Sequence, residues 1–225
     1  MDRRTGIRSG SARPGHPGVA VDSSLSNPAT GEPIGPIHRH AREDLLRAAR
    51  EARAAQPSWA SVSPRSRARV FHRLTRIVVE RADALAELIR DCTGKPRVDA
   101  MSTEVLPAAI MSRYYARRAA AWLRPRVLRA SSPLFLNKRN TLRREPYGVV
   151  GIISPWNYPL GIPLHEVIAG LLCGNAVLLK VATQAQPVGE AIREMLVAAG
   201  LPGGLFHLLH LPGRDTADAM LDAGI

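Results

Sequence analysis

The sequence predicts an α/β protein in which a parallel sheet after residue 147 follows a helical region and a short β excursion. Two observations support this class. After Tyr147, short apolar and β-branched runs alternate with helical periodicity, which is typical of parallel strand–helix–strand units. Before residue 124, apolar residues recur three and four positions apart, as on amphipathic helices. With 225 residues, 45% of them hydrophobic, the chain is long enough to bury a core.

The first part of the chain predicts a tail followed by four helices. Residues 1–24 mix Arg, Ser, Gly and Pro without periodicity, which is typical of a disordered tail. The helices are expected over about 41–55, 64–80, 82–92 and 100–123. Pro57 is expected to end the first helix, and Ser63 to cap the second ahead of Pro64. Pro107 is expected to kink or split the fourth.

The remaining elements follow from a change in the pattern after residue 123. Residues 124–146 place apolar and β-branched side chains between prolines, which predicts a hairpin-like excursion. Three strands and three helices are then expected over 148–154, 160–173, 176–180, 187–199, 205–210 and 215–222. The run Gly148–Ser154 is typical of a strand buried on both faces. The chain therefore divides into four regions, which are 1–24, 25–123, 124–146 and 147–225.

Charge and cysteine content narrow the class of protein. The formal net charge is +12, and all but three of the 31 cations are arginine. An arginine-rich nucleic-acid binder is therefore one alternative, but these arginines alternate with acids as on solvated helix faces. No zinc-finger, helix-turn-helix or aromatic-rich pattern accompanies them. There is no apolar run of membrane length and no secretory signal, and two cysteines exclude a disulfide framework. We expect a soluble, cytoplasmic protein that does not bind membranes.

The most informative stretch is IISPWNYP, residues 152–159, at the carboxyl end of the first strand after Tyr147. Ligands of open α/β sheets bind at the carboxyl ends of the strands. Two prolines stiffen this turn, and Trp156 offers a flat wall. Asn157 supplies a neutral amide donor, which suits a developing oxyanion. The same asparagine is also suited to capping the next helix, and the residues alone leave both interpretations open.

Several motifs, in this order, resemble the N-terminal half of the aldehyde dehydrogenase superfamily. They are NPATGE (27–32), TGKP (93–96), EPYGVVGIISPWNYPL (145–160), GNAVLLK (174–180) and AAGLPGGLFHLL (198–209). The resemblance covers about residues 25–225 and implies NAD(P)-dependent oxidation of an aldehyde to a carboxylic acid. It implies that 25–123 is the helical part of the dinucleotide-binding domain and that 124–146 resembles oligomerisation strands. Residues 147–225 would be an incomplete Rossmann-like dinucleotide-binding domain.

The resemblance also implies roles for individual residues. Asn157 would be the catalytic residue present here, as the side-chain half of an oxyanion hole. The cofactor-binding residues would be Ile153, Ser154, Pro155, Trp156, Lys180, Thr183 and Gly213. Lys180 would hydrogen-bond the adenosine ribose, and its ammonium also suits a 2′-phosphate, so NAD and NADP both remain open. Gly213 would allow the third helix of this region to start close to the cofactor. No metal site is expected, because the histidines lack further ligands at suitable spacing.

Departures from the family pattern lead to further expectations. Thr183 stands where the family usually has a glutamate, which removes a carboxylate near a 2′-phosphate and favours NADP. The family's general-base glutamate and nucleophilic cysteine are not matched, and we expect Cys92 and Cys173 to be small buried hydrophobes. We therefore expect a truncated chain without the catalytic domain, inactive alone, that pairs with a complementary C-terminal chain and forms a homo-oligomer when completed. The main alternative is a non-catalytic fragment that acts as an assembly module.

Overall fold

A computed structural model describes residues 24–129, 132–135 and 137–225, and it confirms the predicted α/β class. The tail expected over residues 1–24 lies outside the described residues, apart from Ser24. The strands are β1 (Ser24–Ser26), β2 (Pro33–Pro36), β3 (Arg126–Leu128), β4 (Asn140–Leu142), β5 (Val149–Ile153), β6 (Ala176–Lys180) and β7 (Phe206–Leu209). The helices are α1 (Arg42–Ser61), α2 (Pro64–Glu80), α3 (Ala82–Thr93), α4 (Arg97–Ala100), α5 (Leu106–Trp122), α6 (Gly161–Leu172), α7 (Gln186–Ala198) and α8 (Gly213–Asp222).

The central sheet has three parallel strands in the order β5-β6-β7, with α6 and α7 as the crossovers. All five residues of β6 are buried, as expected for a middle strand covered by helices on both faces. In β5 only Ile152 is buried, and Ile153 is 47% exposed. The prediction that β5 is buried on both faces is therefore wrong. Among the described residues β5 is an edge strand, and an edge strand has fewer neighbours to cover it.

Helix α1 continues through Pro57 and ends only at Ser61, so the prediction that Pro57 ends it is wrong. Pro57 is exposed, and a carbonyl that loses its helical partner on that face can bind water instead. The last turn is held by Trp59, which is buried and donates its indole N–H to the Leu171 carbonyl at 2.8 Å. A tertiary hydrogen bond therefore outweighs the local helix-breaking signal.

The fourth predicted helix is split near Pro107, as expected. Helix α4 is followed by a π-helical turn, Met101–Val105, and then by α5, which has Pro107 in its first turn. A proline in the first turn of a helix removes no hydrogen bond that the helix needs. The wide π-helical turn buries the side chain of Glu104, whose role is described below.

Strands β3 and β4 form the hairpin expected between residues 124 and 146, with Val127 opposite Thr141. Every residue of both strands is exposed. Strands β1 and β2 form a second short antiparallel pair, and the NPATGE turn connects them. Within this turn the Asn27 side chain accepts from the Ala29 N–H at 2.9 Å. In the part of the chain described, none of the helices combines the length and the apolar character that a membrane span requires.

Candidate functional site

The loop after β5 lies at the carboxyl edge of the sheet, beside the end of β6. The Ser154 N–H donates to the Lys180 carbonyl at 2.8 Å, which joins the start of the loop to the last residue of β6. Trp156 is 56% exposed and Asn157 is exposed as well. Among the described residues, the Asn157 side-chain amide has no hydrogen-bond partner, so it is free to donate to a bound group.

An ion pair that the sequence analysis did not anticipate holds this loop. The Glu104 carboxylate is fully buried, and one of its oxygens accepts from the Leu160 N–H at 2.9 Å and from the Gly161 N–H at 3.2 Å. Leu160 is the N-cap of α6 and makes no side-chain capping bond. Glu104 therefore caps α6 from another part of the chain, and the alternative that Asn157 caps this helix is wrong.

The other Glu104 oxygen accepts from Lys95 Nζ at 2.6 Å. The same ammonium donates to the Asn157 carbonyl at 2.5 Å and lies 4.0 Å from the centre of the Tyr158 ring. Lys95 thus connects the capping carboxylate to the backbone of Asn157 itself. Lys95 belongs to the TGKP motif, but nothing in the local sequence marked Glu104, because its backbone partners lie 56 and 57 residues further along the chain.

Unpartnered polar groups collect at the carboxyl ends of β5 and β6. The Ser154 hydroxyl is buried and has no hydrogen-bond partner among the described residues. Lys180 is buried, burial lowers the pKa of its ammonium, and within the described residues it makes no ion pair. A Cβ added at Gly213 would lie 3.7 Å from Lys180 Nζ, so the lysine ends beside the first turn of α8. Buried polar groups without partners are rare, and here they mark a place for a polar ligand.

The structure brings some of the predicted site residues together and separates others. Thr183 is exposed, begins a short 3-10 turn and lines a cavity of about 140 Å³ next to the end of β7. Ile153 lines a different cavity of about 810 Å³, which runs along the open side of β5 and includes Tyr147 and Cys173. Pro155 is exposed in the loop after β5 and lines neither of these two cavities. The candidate site is therefore an open edge rather than one closed pocket.

The two cysteines differ, which corrects the expectation that both are buried. Cys92 is buried, and burial raises the pKa of its thiol to about 12. Cys173 is exposed, because it caps the C-terminal end of α6 beside the 810 Å³ cavity. Asn157 precedes the opposite end of that helix, which has 12 residues and is about 18 Å long at 1.5 Å per residue. Cys92 is therefore shielded by burial, and Cys173 lies at the far end of α6 from the Asn157 amide.

A parallel sheet whose carboxyl edge carries a free amide, a buried lysine and an unpartnered hydroxyl defines an open α/β ligand-binding domain of the Rossmann type. The chain belongs to the aldehyde dehydrogenase family, whose sequence profile matches residues 20–224. It is 37% identical over 193 residues to a protein of Mycobacterium ulcerans (strain Agy99) that is named as an NADP(+) succinate-semialdehyde dehydrogenase. The match covers 86% of this chain and 37% of that protein.

Two solved structures that match this chain are also dehydrogenases that act on aldehydes by name. The NADP-dependent glyceraldehyde-3-phosphate dehydrogenase from Bacillus halodurans C-125, complexed with NADP, matches with a TM-score of 0.81 and 30% identity, over 88% of this chain and 42% of that one. A protein from Sinorhizobium meliloti 1021 that is named as a methylmalonate-semialdehyde dehydrogenase, complexed with NAD, matches with a TM-score of 0.80 and 29% identity, over 88% of this chain and 39% of that one. The chain thus spans about two fifths of the length of the proteins that it matches.

Proposed function

We propose that this chain supplies the cofactor cleft and the oxyanion-stabilising amide of an NAD(P)-dependent aldehyde dehydrogenase, which oxidises an aldehyde to a carboxylic acid. The observation that carries the proposal is the buried Ser154 hydroxyl, which lies at the sheet edge where Lys180 also ends and lacks a partner in the part of the chain that the structure describes. Family membership supports the reaction class. The names of relatives that use NADP or were solved with NAD support a nicotinamide cofactor.

The residues at this edge fit a dinucleotide. Lys180 and Thr183 would hydrogen-bond the adenosine ribose, and the Ser154 hydroxyl would gain the partner that it lacks in the free protein. Gly213 lies in the first turn of α8, where an added Cβ would be in ordinary contact with Lys180 Nζ at 3.7 Å. Trp156, with Ile153 and Pro155 on either side of Ser154, would form the wall of the cleft. When bound, the cofactor supplies the hydride acceptor for aldehyde oxidation.

Asn157 would act on the substrate carbonyl. Nucleophilic attack places negative charge on the carbonyl oxygen, and an amide donor already fixed in position stabilises that charge without reorganising. Lys95 holds the Asn157 carbonyl at 2.5 Å, which restrains the backbone while leaving the side-chain amide free. The loop is therefore arranged to keep the donor in place before the substrate arrives.

The nucleophile would come from sequence outside these 225 residues, since Cys92 is buried and Cys173 lies at the opposite end of α6 from Asn157. We propose that the nucleophilic cysteine and the general-base glutamate are supplied by a complementary segment of the same polypeptide or of another chain. The groove along β5, which includes Tyr147 at 96% exposure, offers such a segment a surface. On this proposal, the 225 residues by themselves bind cofactor but do not oxidise aldehydes.

The β3–β4 hairpin favours an additional role in assembly. Val127, Leu128 and Leu142 are all exposed on a two-stranded hairpin, and such a hairpin is marginally stable in water by itself. We propose that this hairpin docks on another subunit, as oligomerisation strands do. Replacing Val127 by Asp should then shift the protein to a smaller species in sedimentation, whereas an unchanged oligomeric state would count against docking.

Cofactor titration tests the main proposal. NADH and NADPH should quench the protein fluorescence by energy transfer from Trp156, and Trp156→Phe should remove most of the effect. Lys180→Met should weaken both cofactors, whereas Lys138→Met, which removes an exposed lysine from the segment between β3 and β4, should not. Absence of binding by both cofactors, combined with salt-sensitive retention of DNA, would favour the nucleic-acid alternative instead.

A further inference from the structure

Helices α2 and α5 carry a concentration of exposed positive charge. On α2 a row of exposed basic side chains has spacings of three or four positions, in the order Arg65, Arg69, His72 and Arg76. On α5 the exposed Arg113 and Arg117 are four positions apart, and Arg124 follows just after the helix. Side chains at these spacings lie on one face of a helix. Glu80, at the last position of α2, is the one acid of that helix, and α5 has none.

Other helices of the fold pair arginines with acids of the same helix. Arg47 pairs with Asp44 on α1 at 2.6 Å, and Arg193 pairs with Glu190 on α7 at 2.7 Å. By contrast, neither Arg124 nor any arginine of α2 and α5 forms an ion pair with a residue that the structure describes. The positive charge of this face is therefore uncompensated within the described fold, unlike that of an ordinary solvated helix face.

An open groove of about 790 Å³ lies where α2 and α5 pack together. Its basic walls carry two side chains of α2 and two from the end of α5, which are Arg65, His72, Arg117 and Arg124. Its floor is built of small apolar side chains, which are Ala68, Ala116 and Ala120. Within the described lining there is no carboxylate and no phenylalanine, tyrosine or tryptophan. The groove thus combines positive walls with an apolar floor on which another segment can lie close to both helices.

We propose that this groove binds an acidic amphipathic helix of a partner protein. Small side chains on the floor allow a third helix to approach, and packed helices have axes about 8–10 Å apart. An amphipathic helix in a groove places its apolar face on the floor. Its carboxylates would then meet the guanidinium groups of Arg65 and Arg117, which bind carboxylates with two parallel hydrogen bonds. The groove contains none of the residues assigned to the cofactor cleft, so this inference does not depend on the proposed function.

The lining favours a protein segment over a nucleic acid. Proteins that bind single strands stack the bases on aromatic side chains, and the described lining offers only the His72 imidazole. Base readout in duplex DNA needs an element that enters a groove of the duplex, whereas here the protein surface is itself a groove. A phosphodiester chain would also leave the alanine floor uncovered, whereas aliphatic side chains of a peptide would cover it.

A second copy of this chain is less suited to the groove than a separate partner. The acids of α3 and α7 are already engaged, because Glu87 pairs with Arg97 and Glu190 pairs with Arg193. Helix α8 carries the exposed Asp215 and Asp218, but a contact between α8 of one copy and the groove of another would be head-to-tail. Such a contact does not close into a dimer.

A synthetic peptide tests the proposal on the whole 225-residue chain. The probe has about 17 residues, as α2 and α5 have, with glutamates on one face and alanine and leucine on the other. A scrambled peptide of the same composition has the same charge without the two faces. Fluorescence anisotropy should show that the amphipathic peptide binds at least tenfold more tightly than the scrambled one. Arg65→Gln combined with Arg117→Gln should weaken it about tenfold, as expected for the loss of two ion pairs.

Two further variants separate a seated helix from diffuse attraction. Ala121→Trp keeps the charge and fills the groove with an exposed residue of its lining, so it should also weaken the amphipathic peptide. Arg50→Gln combined with Arg139→Gln removes the same charge from exposed positions outside the groove and should leave the affinity unchanged.

Four results would overturn the proposal. The first is no binding of the amphipathic peptide, and the second is equal binding of the scrambled peptide or equal weakening by the control pair. The third is displacement of the bound peptide by a short DNA duplex at a lower concentration than by unlabelled peptide, which would make this face a nucleic-acid surface. The fourth is self-association of the chain in sedimentation that Arg65→Gln with Arg117→Gln abolishes, which would make a second copy the occupant.

Discussion

The Lys95 ammonium and the Glu104 carboxylate lie 2.6 Å apart, and together they hold the middle and the end of the loop that carries Asn157. Glu104 caps α6 where the loop ends, and Lys95 binds the Asn157 carbonyl within the loop. Glu104 is fully buried and the Lys95 side chain is 23% exposed, so solvent screens this pair far less than a surface pair. The position of the candidate oxyanion donor therefore depends on two residues that do not touch the proposed substrate.

Glu104→Ala should be strongly destabilising. The substitution leaves the Lys95 charge partly buried without its counter-ion and removes the acceptor of two N–H groups of α6. Breaking such a pair lowers the free energy of unfolding by about 3–5 kcal/mol. Urea denaturation measures the change, and Glu104→Gln, which keeps an acceptor oxygen, should be less destabilising. A loss below about 1 kcal/mol for Glu104→Ala would place the pair among weak surface interactions. Glu43→Gln, on the exposed face of α1, is the control.

Ser154→Ala should stabilise the free protein and weaken cofactor binding. The Ser154 hydroxyl is buried without a partner within residues 24–129, 132–135 and 137–225, and removing an unsatisfied buried hydroxyl gains about 1 kcal/mol or more. In the complex the same hydroxyl is expected to bind cofactor, so the variant should lose affinity for both NADH and NADPH. Thermal melts with and without cofactor measure the two effects. If Ser154→Ala destabilised the free protein, the hydroxyl would already have a hydrogen-bond partner, and it would not be available to the cofactor.

Asn157→Ala should leave stability and cofactor affinity unchanged, because the amide is exposed and makes no hydrogen bond within the described residues. Its effect should be confined to turnover in the protein completed by its nucleophile-bearing segment. Loss of one oxyanion donor lowers kcat by roughly 10²–10³-fold. Steady-state kinetics with an aldehyde substrate gives the measurement, and Asn157→Asp, which replaces a donor with an acceptor, should be at least as inactive. A fall in KM alone would contradict the assigned role.

The two thiols should react at very different rates. Cys173 is exposed, although partial burial also raises the pKa of its thiol, whereas Cys92 is buried and burial raises its pKa to about 12. A thiolate is the reactive form, so Cys92 should remain unmodified by a thiol reagent near pH 8 until the protein unfolds. Titration with Ellman's reagent should show one accessible thiol in the native protein and two in guanidinium. Cys173→Ser should abolish the native reaction, and Cys92→Ala should leave it intact.

Stability should fall as the pH is lowered through the range where histidine titrates. Burial lowers the pKa of His210 below its ordinary value of 6.5; contact with Glu190 raises it, and the neighbouring His40 and His38 lower it, so burial dominates. The unfolded chain then binds a proton that the folded chain does not. The contribution of His210 to the free energy of unfolding is therefore fully present above about pH 7. It decreases as the pH falls from there to the pKa of the folded protein, by at most about 1.4 kcal/mol per pH unit for one group.

Urea denaturation between pH 5 and pH 8 measures this dependence, in which His165 contributes in the same direction because burial also lowers its pKa. His210→Asn should make the dependence shallower. His72→Gln, which removes an exposed histidine from α2, should leave it unchanged. A steeper dependence in His210→Asn would mean that the folded protein binds a proton at His210 more readily than the unfolded chain.

The amino-acid sequence by itself determined the parallel α/β class, the order of the three sheet strands along the chain and the loop that presents Asn157. These features depend on periodicity and on turn residues within a few positions of one another, and local patterns record them directly. The same holds for the cap of α2, where the Ser63 hydroxyl accepts from the Ser66 N–H. Family motifs added the candidate roles of Lys180 and Thr183.

Only the tertiary structure decided which distant residues complete the site. Glu104 meets the start of α6 across 56 residues, and His210 meets His40 across 170. No local pattern encodes such pairs, because they exist only once helices and sheet have packed. The continuation of α1 through Pro57 and the exposure of Cys173 have the same origin. Each depends on what packs beside the residue, and packing joins segments that the linear sequence keeps apart.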